Sequence, residues 1–321
     1  MGSTCFKSIL ILILACFLCL PDGATAAPKS EETLIVTDDL NRSVAIPKGK
    51  LRAAVLLASF ADCWLLAGGE VAATVHDAWE DYDLALLEGT ADLGPYNGIN
   101  LELLIQSGPD FVIASANTKA HVELAESFER MHLPVLFFSV ECFEEYLAML
   151  STLTGITGRA DLYEKYGLSL REEIESAKQA AAEAVRASGP QRILILRAST
   201  VDIHAKSSQD SVLGAMLRDL GCINSADESG LADSLSLERI IMEDSDRIFV
   251  VFQGDAAEAQ RRLEAEFVQD SAWAGLSAVK GGRIHYMDKR LYHMKPNSRW
   301  GEAYQNLEAL LYPEHRDGTH Q

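Results

Sequence analysis

The run Leu291-Tyr292-His293-Met294-Lys295-Pro296-Asn297-Ser298-Arg299-Trp300-Gly301-Glu302 gathers two aromatic residues, a histidine, two cations and a Pro-Asn turn ahead of the last amphipathic segment. Lysine and arginine donate charge-assisted hydrogen bonds to carboxylate, catecholate or phosphate oxygens, and aromatic rings cover the faces of macrocycles. An imidazole adds a nitrogen ligand for haem iron, a corrin cobalt or a bare transition metal. Proline and asparagine favour a turn, so these groups should project from a loop between a strand at Arg283–Asp288 and a helix at Arg299–Leu311. The plainer alternative is a solvated loop with a helix cap.

The elements that must hold this loop follow an alternating pattern. Leu51–Ala58 reads as a buried strand, Asp62–Ala67 as a helix and Val71–Val75 as a second strand; helix Leu101–Gln106, strand Phe111–Ala114, helix Ala120–Arg130 and strand Val135–Phe138 follow. Such alternation predicts a mostly parallel sheet flanked by helices. Ala160–Ala187 is rich in Ala, Glu, Leu and Lys without proline and ends at Ser188-Gly189-Pro190, which predicts one long helix and its stop. The pattern then restarts with strand Arg192–Arg197, helices Ser211–Leu220 and Leu237–Glu243, strand Arg247–Val251, helix Ala256–Phe267, strand Arg283–Tyr286 and the final helix. The halves echo each other: Leu101-Glu102 precedes a strand that starts after Pro109-Asp110, and Leu237-Glu238 one that starts after Ser245-Asp246.

The expected fold class is therefore α/β, with two Rossmann-like lobes joined by one long rigid helix and a cleft between them. Ligands of open α/β sheets sit at the carboxyl ends of strands. That rule nominates Ser59 and Phe60, His76 and Trp79, Tyr96, and Ser115 with Asn117 in the first half, then Arg197, the turn His204-Ala205-Lys206, and Tyr292, His293, Lys295 and Arg299 in the second. For Ser115, Asn117 and His204 helix capping is the plainer reading. His76, His204 and His293 are the candidate metal ligands, although no histidine spacing specifies a metal.

Composition limits the functions available. Lys7, the apolar run Ile9–Leu20 and Ala24-Thr25-Ala26 fit a signal peptide over residues 1–26. A competing reading places a lipid on Cys16 within Ile13-Leu14-Ala15-Cys16. Beyond this segment stand Cys63, Cys142 and Cys222, too few and too far apart for a disulfide framework or zinc knuckle, although one pair can still close. The net charge of −19 excludes nucleic acid as a natural partner. Acyl-transfer, zinc-protease, P-loop and dinucleotide motifs are lacking, so no enzyme activity is expected.

Thr37-Asp38-Asp39-Leu40-Asn41-Arg42-Ser43-Val44-Ala45-Ile46-Pro47, Asn100-Leu101-Glu102, Ser271-Ala272-Trp273, Ala278-Val279-Lys280-Gly281-Gly282-Arg283 and Lys295-Pro296-Asn297-Ser298-Arg299-Trp300 together resemble the substrate-binding proteins of ABC importers for iron chelates, haem and vitamin B12. One departure is Ala61-Asp62, where many members have Thr-Glu. The resemblance implies a periplasmic protein without a cofactor of its own, which binds an iron chelate (siderophore), haem or corrinoid. It also implies delivery to a membrane permease dimer driven by a cytoplasmic ATPase. Residues 27–159 would form the first lobe, 160–188 the connecting helix, 189–313 the second lobe and 314–321 a tail. Acidic residues at the positions of Glu102 and Glu238 would dock on the permease. Monomer is the default. The alternatives are a bare transition-metal binder and a ligand-sensing module outside transport.

Overall fold

A computed structural model describes residues 33–313, apart from 229 and 234. The expected signal peptide, Cys16 and the 314–321 tail lie outside the described residues. The chain opens with an antiparallel hairpin, β1 (Thr33–Thr37) and β2 (Ser43–Pro47). Its turn is fixed by Asp38, whose carboxylate accepts the Leu40 and Arg42 N–H groups and pairs with the Arg42 guanidinium.

The first lobe is a five-stranded parallel sheet of β3 (Arg52–Val55), β4 (Glu70–Thr74), β5 (Ala91–Asp92), β6 (Phe111–Ser115) and β7 (Val135–Phe138), in the order β5-β4-β3-β6-β7. Every residue of β6 and β7 is buried, as strands covered on both faces require. The second lobe contains β8 (Arg192–Ala198), β9 (Ile203–Ala205), β10 (Ile223–Asn224), β11 (Arg247–Phe252) and β12 (Ile284–Tyr286). There the order is β10-β8-β11-β12, with β9 turned back antiparallel on β8. In each sheet the chain builds to one side of the first parallel strand and then crosses to the other. This leaves a switch point between β3 and β6, and another between β8 and β11, where loops part at the strand ends.

The repeated Asp also has a structural meaning. Asp110 accepts the Arg52 N–H at 2.7 Å, and Asp246 accepts the Arg192 N–H at 2.9 Å, so each fixes the start of its lobe's first parallel strand.

Helical geometry runs without a gap from Ala160 to Ser188: an α-helical turn at Ala160–Tyr163, a π turn at Glu164–Leu168, then α-helix Ser169–Ser188. The π turn departs from the plain helix expected. A Cβ on Gly167 would lie 2.9 Å from Leu147 and 3.3 Å from Leu150, so these leucines close against the bare backbone. The Tyr146 hydroxyl donates to the Tyr166 carbonyl at 2.8 Å, occupying an acceptor on this widened turn. Leu170, Ile174, Ala177, Ala181 and Ala184 form the buried stripe, and the Trp300–Leu311 helix packs along this connecting helix. One apolar core extends from the first sheet through this helix to the second sheet, so the lobes share an interior.

Other boundaries differ for local reasons. β3 ends at Val55, and a helix begins at Ala58, four residues earlier than expected. The Ala120–Arg130 helix is two pieces, Lys119–Glu123 and Ala125–Arg130, separated at Leu124. His204 and Ala205 belong to β9 and not to a turn. Pattern reading missed the Phe143–Thr157 helix, whose start is held by Glu145 accepting the Glu141 and Cys142 N–H groups.

Candidate functional site

The Pro296-Asn297 turn ties the two lobes. Asn297 adopts φ of 51°, a left-handed conformation that asparagine tolerates, and its side-chain amide is buried. It donates to the Ser59 carbonyl at 2.7 Å and to an Asp62 carboxylate oxygen at 2.8 Å. Burial raises the Asp62 pKa, against the lowering effect of the Asn297 bond and the Arg290 charge. Before this turn, a short helix at Lys289–Tyr292 extends two cations toward the first lobe. Lys289 pairs with Asp81 at 2.8 Å; Arg290 donates to the Asp81 carbonyl and stacks 4.4 Å from the centre of the Tyr82 ring.

Above these ties lies a cleft of about 740 Å³ walled by both lobes. The first lobe contributes Ser59 after β3, Ser115 and Asn117 at the end of β6, Tyr96 and Glu141; the second contributes Arg197, Gln253, His293 and Lys295. Ser115 ends β6 and Asn117 follows it, and Arg197 and Gln253 lie at the ends of β8 and β11, so the two switch points face one space. A side pocket of about 180 Å³ adjoins it, lined by Arg197, Lys206, Ser211, Tyr292, His293 and Lys295 among others.

The electrostatics of this space are nearly balanced. Lys206 pairs with Asp210 at 2.9 Å, and Lys295 with Glu141 at 3.5 Å. Arg197 differs: its Nε is buried without a hydrogen-bond partner among the described residues. Burial, with the charges of Arg197, Lys289, Lys295 and Lys206, pushes the His293 pKa down to about 4. The cleft therefore offers a guanidinium with an unpartnered Nε donor, its charge felt by Asp202, beside a neutral imidazole.

Ser59, Tyr96, Arg197, His293 and Lys295 are brought together on the main cleft, and Lys206 and Tyr292 on the side pocket. The Tyr292 hydroxyl is already donated to the Ala303 carbonyl at 3.2 Å. Phe60, Ser115 and Asn117 also line the main cleft, whereas His76, Trp79, His204 and Arg299 lie off both linings. His76 is exposed between Asp92, 2.6 Å from Nδ1, and Glu80, 3.2 Å from Nε2; the Asp92 bond leads in raising its pKa. Trp79 packs on Ala58, Val75, Ala78 and Tyr82. His204 pairs with Asp202 on β9, and Arg299 forks onto Glu302. The three histidines do not converge, and no three His, Cys, Asp or Glu among the described residues form a metal-binding group. Cys63, Cys142 and Cys222 are free thiols.

Sequence reasoning missed Asp81, Glu141, Lys289 and Gln253. Glu141 and Gln253 follow β7 and β11, where the same strand-end rule applied to every strand would have found them. On the outer surface, Glu102 and Glu238 are exposed in the first turns of the Leu101–Gln106 and Leu237–Glu243 helices, capped by Asn100 and Ser236.

Two lobes built on mostly parallel sheets and sharing a continuous helix, with a polar cleft at the strand ends, define a two-lobed solute-binding protein. The chain belongs to the periplasmic binding protein family, which matches residues 55–291. It superposes on Staphylococcus aureus SirA complexed with staphyloferrin B with a TM-score of 0.67 at 17% identity, covering 89% of this chain and 99% of that one. The siderophore-binding protein BauB, bound to two acinetobactin molecules and ferric iron, gives 0.68 at 18% identity over 87% and 98%. The periplasmic haem-binding protein RhuT from Roseiflexus sp. RS-1 gives 0.64 at 17% over 83% and 100%. At these identities the likeness is one of fold. Comparison with curated sequences finds no match.

Proposed function

We propose that this protein is the exported solute-binding component of an ABC importer and captures an iron chelate with acidic arms in the interlobe cleft. The observation that carries this reading is Arg197, whose buried Nε has no partner among the described residues while it lines both the cleft and the side pocket. Leaving such a donor dry costs about 1–3 kcal/mol, more for a charged group, and a ligand carboxylate or catecholate that drew the guanidinium forward into the cleft would recover it. SirA and BauB, of the same fold, are described with siderophores.

The division at 27–159, 160–188 and 189–313, cleavage after Ala26, and docking on a permease through Glu102 and Glu238 belong to the same proposal. His293 favours a second ligand: as a neutral imidazole in the cleft it suits an axial position on haem iron. Calorimetric titration with ferric citrate, haemin and cyanocobalamin tests the choice. The reading predicts saturable binding of ferric citrate, weakened about ten- to hundredfold by Arg197→Ala, and no heat with cyanocobalamin; haemin binding that His293→Ala abolishes, without ferric citrate binding, would replace the chelate by haem.

A further inference from the structure

Four lysines line these spaces, and each faces a protein carboxylate: Lys289 with Asp81 at 2.8 Å, Lys206 with Asp210 at 2.9 Å, Lys295 with Glu141 at 3.5 Å and, at the exposed rim, Lys119 with Glu123 at 3.7 Å. The first two distances are those of charge-assisted hydrogen bonds, about 2.7–2.9 Å; the third is longer. It is also the pair at the junction of the two spaces, since Glu141, Arg197, His293 and Lys295 line both the cleft and the side pocket. The Lys295 side chain retains 20% of its exposure and the Glu141 side chain 34%, so both are accessible from the cleft but partly withdrawn from water.

Glu141 is held in place from its own lobe. Its Oε1 accepts from the Asn117 amide at 3.1 Å, and the same amide donates to the Ser139 hydroxyl at 3.0 Å. A carboxylate is thus fixed facing Lys295 on the lining it shares with Arg197, whose Nε is unpartnered among the described residues, where an acidic ligand arm would find its countercharges.

We propose that Glu141 sets the charge selectivity of the cleft, as a built-in counter-anion to Lys295 that an acidic arm of the ligand must displace. This rests on the anionic-chelate reading above. An uncharged ligand arm that separated Lys295 from Glu141 would leave both charges partly desolvated, whereas a carboxylate replaces one ion pair with another and releases Glu141 toward water. The same glutamate would tolerate a cationic chelate.

Glu141→Gln retains an oxygen to accept from Asn117 and removes only the competing charge. Calorimetry with ferric citrate, an anionic chelate, and ferrioxamine B, a cationic one, reads the effect. Removing the competitor should tighten ferric citrate about two- to fivefold, the scale of one partly exposed ion pair, without tightening ferrioxamine B. The gain should vanish in a Lys295→Gln background, where the pair is already broken. An unchanged or weaker affinity of Glu141→Gln for ferric citrate, while Arg197→Ala still weakens it, would overturn the role of Glu141 and leave the cleft reading standing. The same gain in the Lys295→Gln background would overturn it too, assigning the effect to distant charge. If neither wild type nor Glu141→Gln binds ferric citrate, the reading of the cleft itself fails and takes this inference with it.

Discussion

Arg197, next to last in β8, lines the cleft, and the affinity of any acidic ligand should turn on it. Arg197→Ala is expected to cost about 1.5–3 kcal/mol of binding free energy, the worth of hydrogen bonds to a charged group. Arg299 was equally visible in the sequence, but its guanidinium is engaged by Glu302. The same titration on Arg299→Ala separates a ligand contact from a helix-turn ion pair. His293 carries a pH signature. Its native imidazole stays neutral down to about 4, whereas the unfolded side chain titrates near 6.5. As pH falls through this window the unfolded chain takes up the proton first, so stability is lost between about 6.5 and 4. His285, also pushed down to about 4 by burial and by Arg247 and Arg283, contributes in the same range. His293→Gln should therefore flatten, without abolishing, the dependence of the urea midpoint on pH in that window; an unaltered slope would contradict the buried neutral state. Strand-end reasoning made Ser59, Arg197 and Lys295 legible because their positions follow from chain direction. Asp81 and Lys289 were not, because their pairing joins residues 208 apart in sequence.

At the scale of elements, the Pro296-Asn297 turn acts as an interlobe tie, with one side chain serving Ser59 and Asp62. Asn297→Ala removes both bonds, leaves a carbonyl and a carboxyl buried without them, and places alanine at positive φ. A loss of about 2–3 kcal/mol of folding stability is expected, measured by urea denaturation. A loss below about 0.5 kcal/mol would show that water replaces the tie. The parallel strands and the connecting helix were legible from continuous apolar runs and from an Ala-rich stretch without proline. The π turn at Glu164–Leu168 was not, because it depends on Leu147 and Leu150 meeting Gly167 across the fold. The two-residue strands β5 and β10 carry too little pattern to be recognised, since their pairing depends on neighbours far along the chain.

For the whole molecule, the continuous Ala160–Ser188 helix and the core it shares with both lobes leave no loop crossing to absorb a large hinge motion. Scattering profiles of the apo and ferric-citrate-saturated protein should nearly superimpose; a marked contraction would refute a rigid frame. The repeated Leu-Glu helices place one exposed glutamate on each lobe, suited to a two-fold permease. Glu102→Ala/Glu238→Ala should keep ligand affinity and lose uptake in cells, with complex formation weakening as salt rises. Normal uptake at ordinary expression would remove both residues from docking. The alternative, that each glutamate favours its helix N-terminus, predicts a melting shift worth about 0.3–1 kcal/mol and no transport defect.

The central claim, an acidic iron chelate held at Arg197, is tested most directly by the absorbance spectrum and metal content of protein recovered from its native host with its ligand in place. The account predicts iron in near-stoichiometric amount, a broad ferric charge-transfer band, and loss of both in Arg197→Ala. A Soret band, a corrin spectrum with cobalt, or a bare divalent metal retained by Arg197→Ala would contradict it.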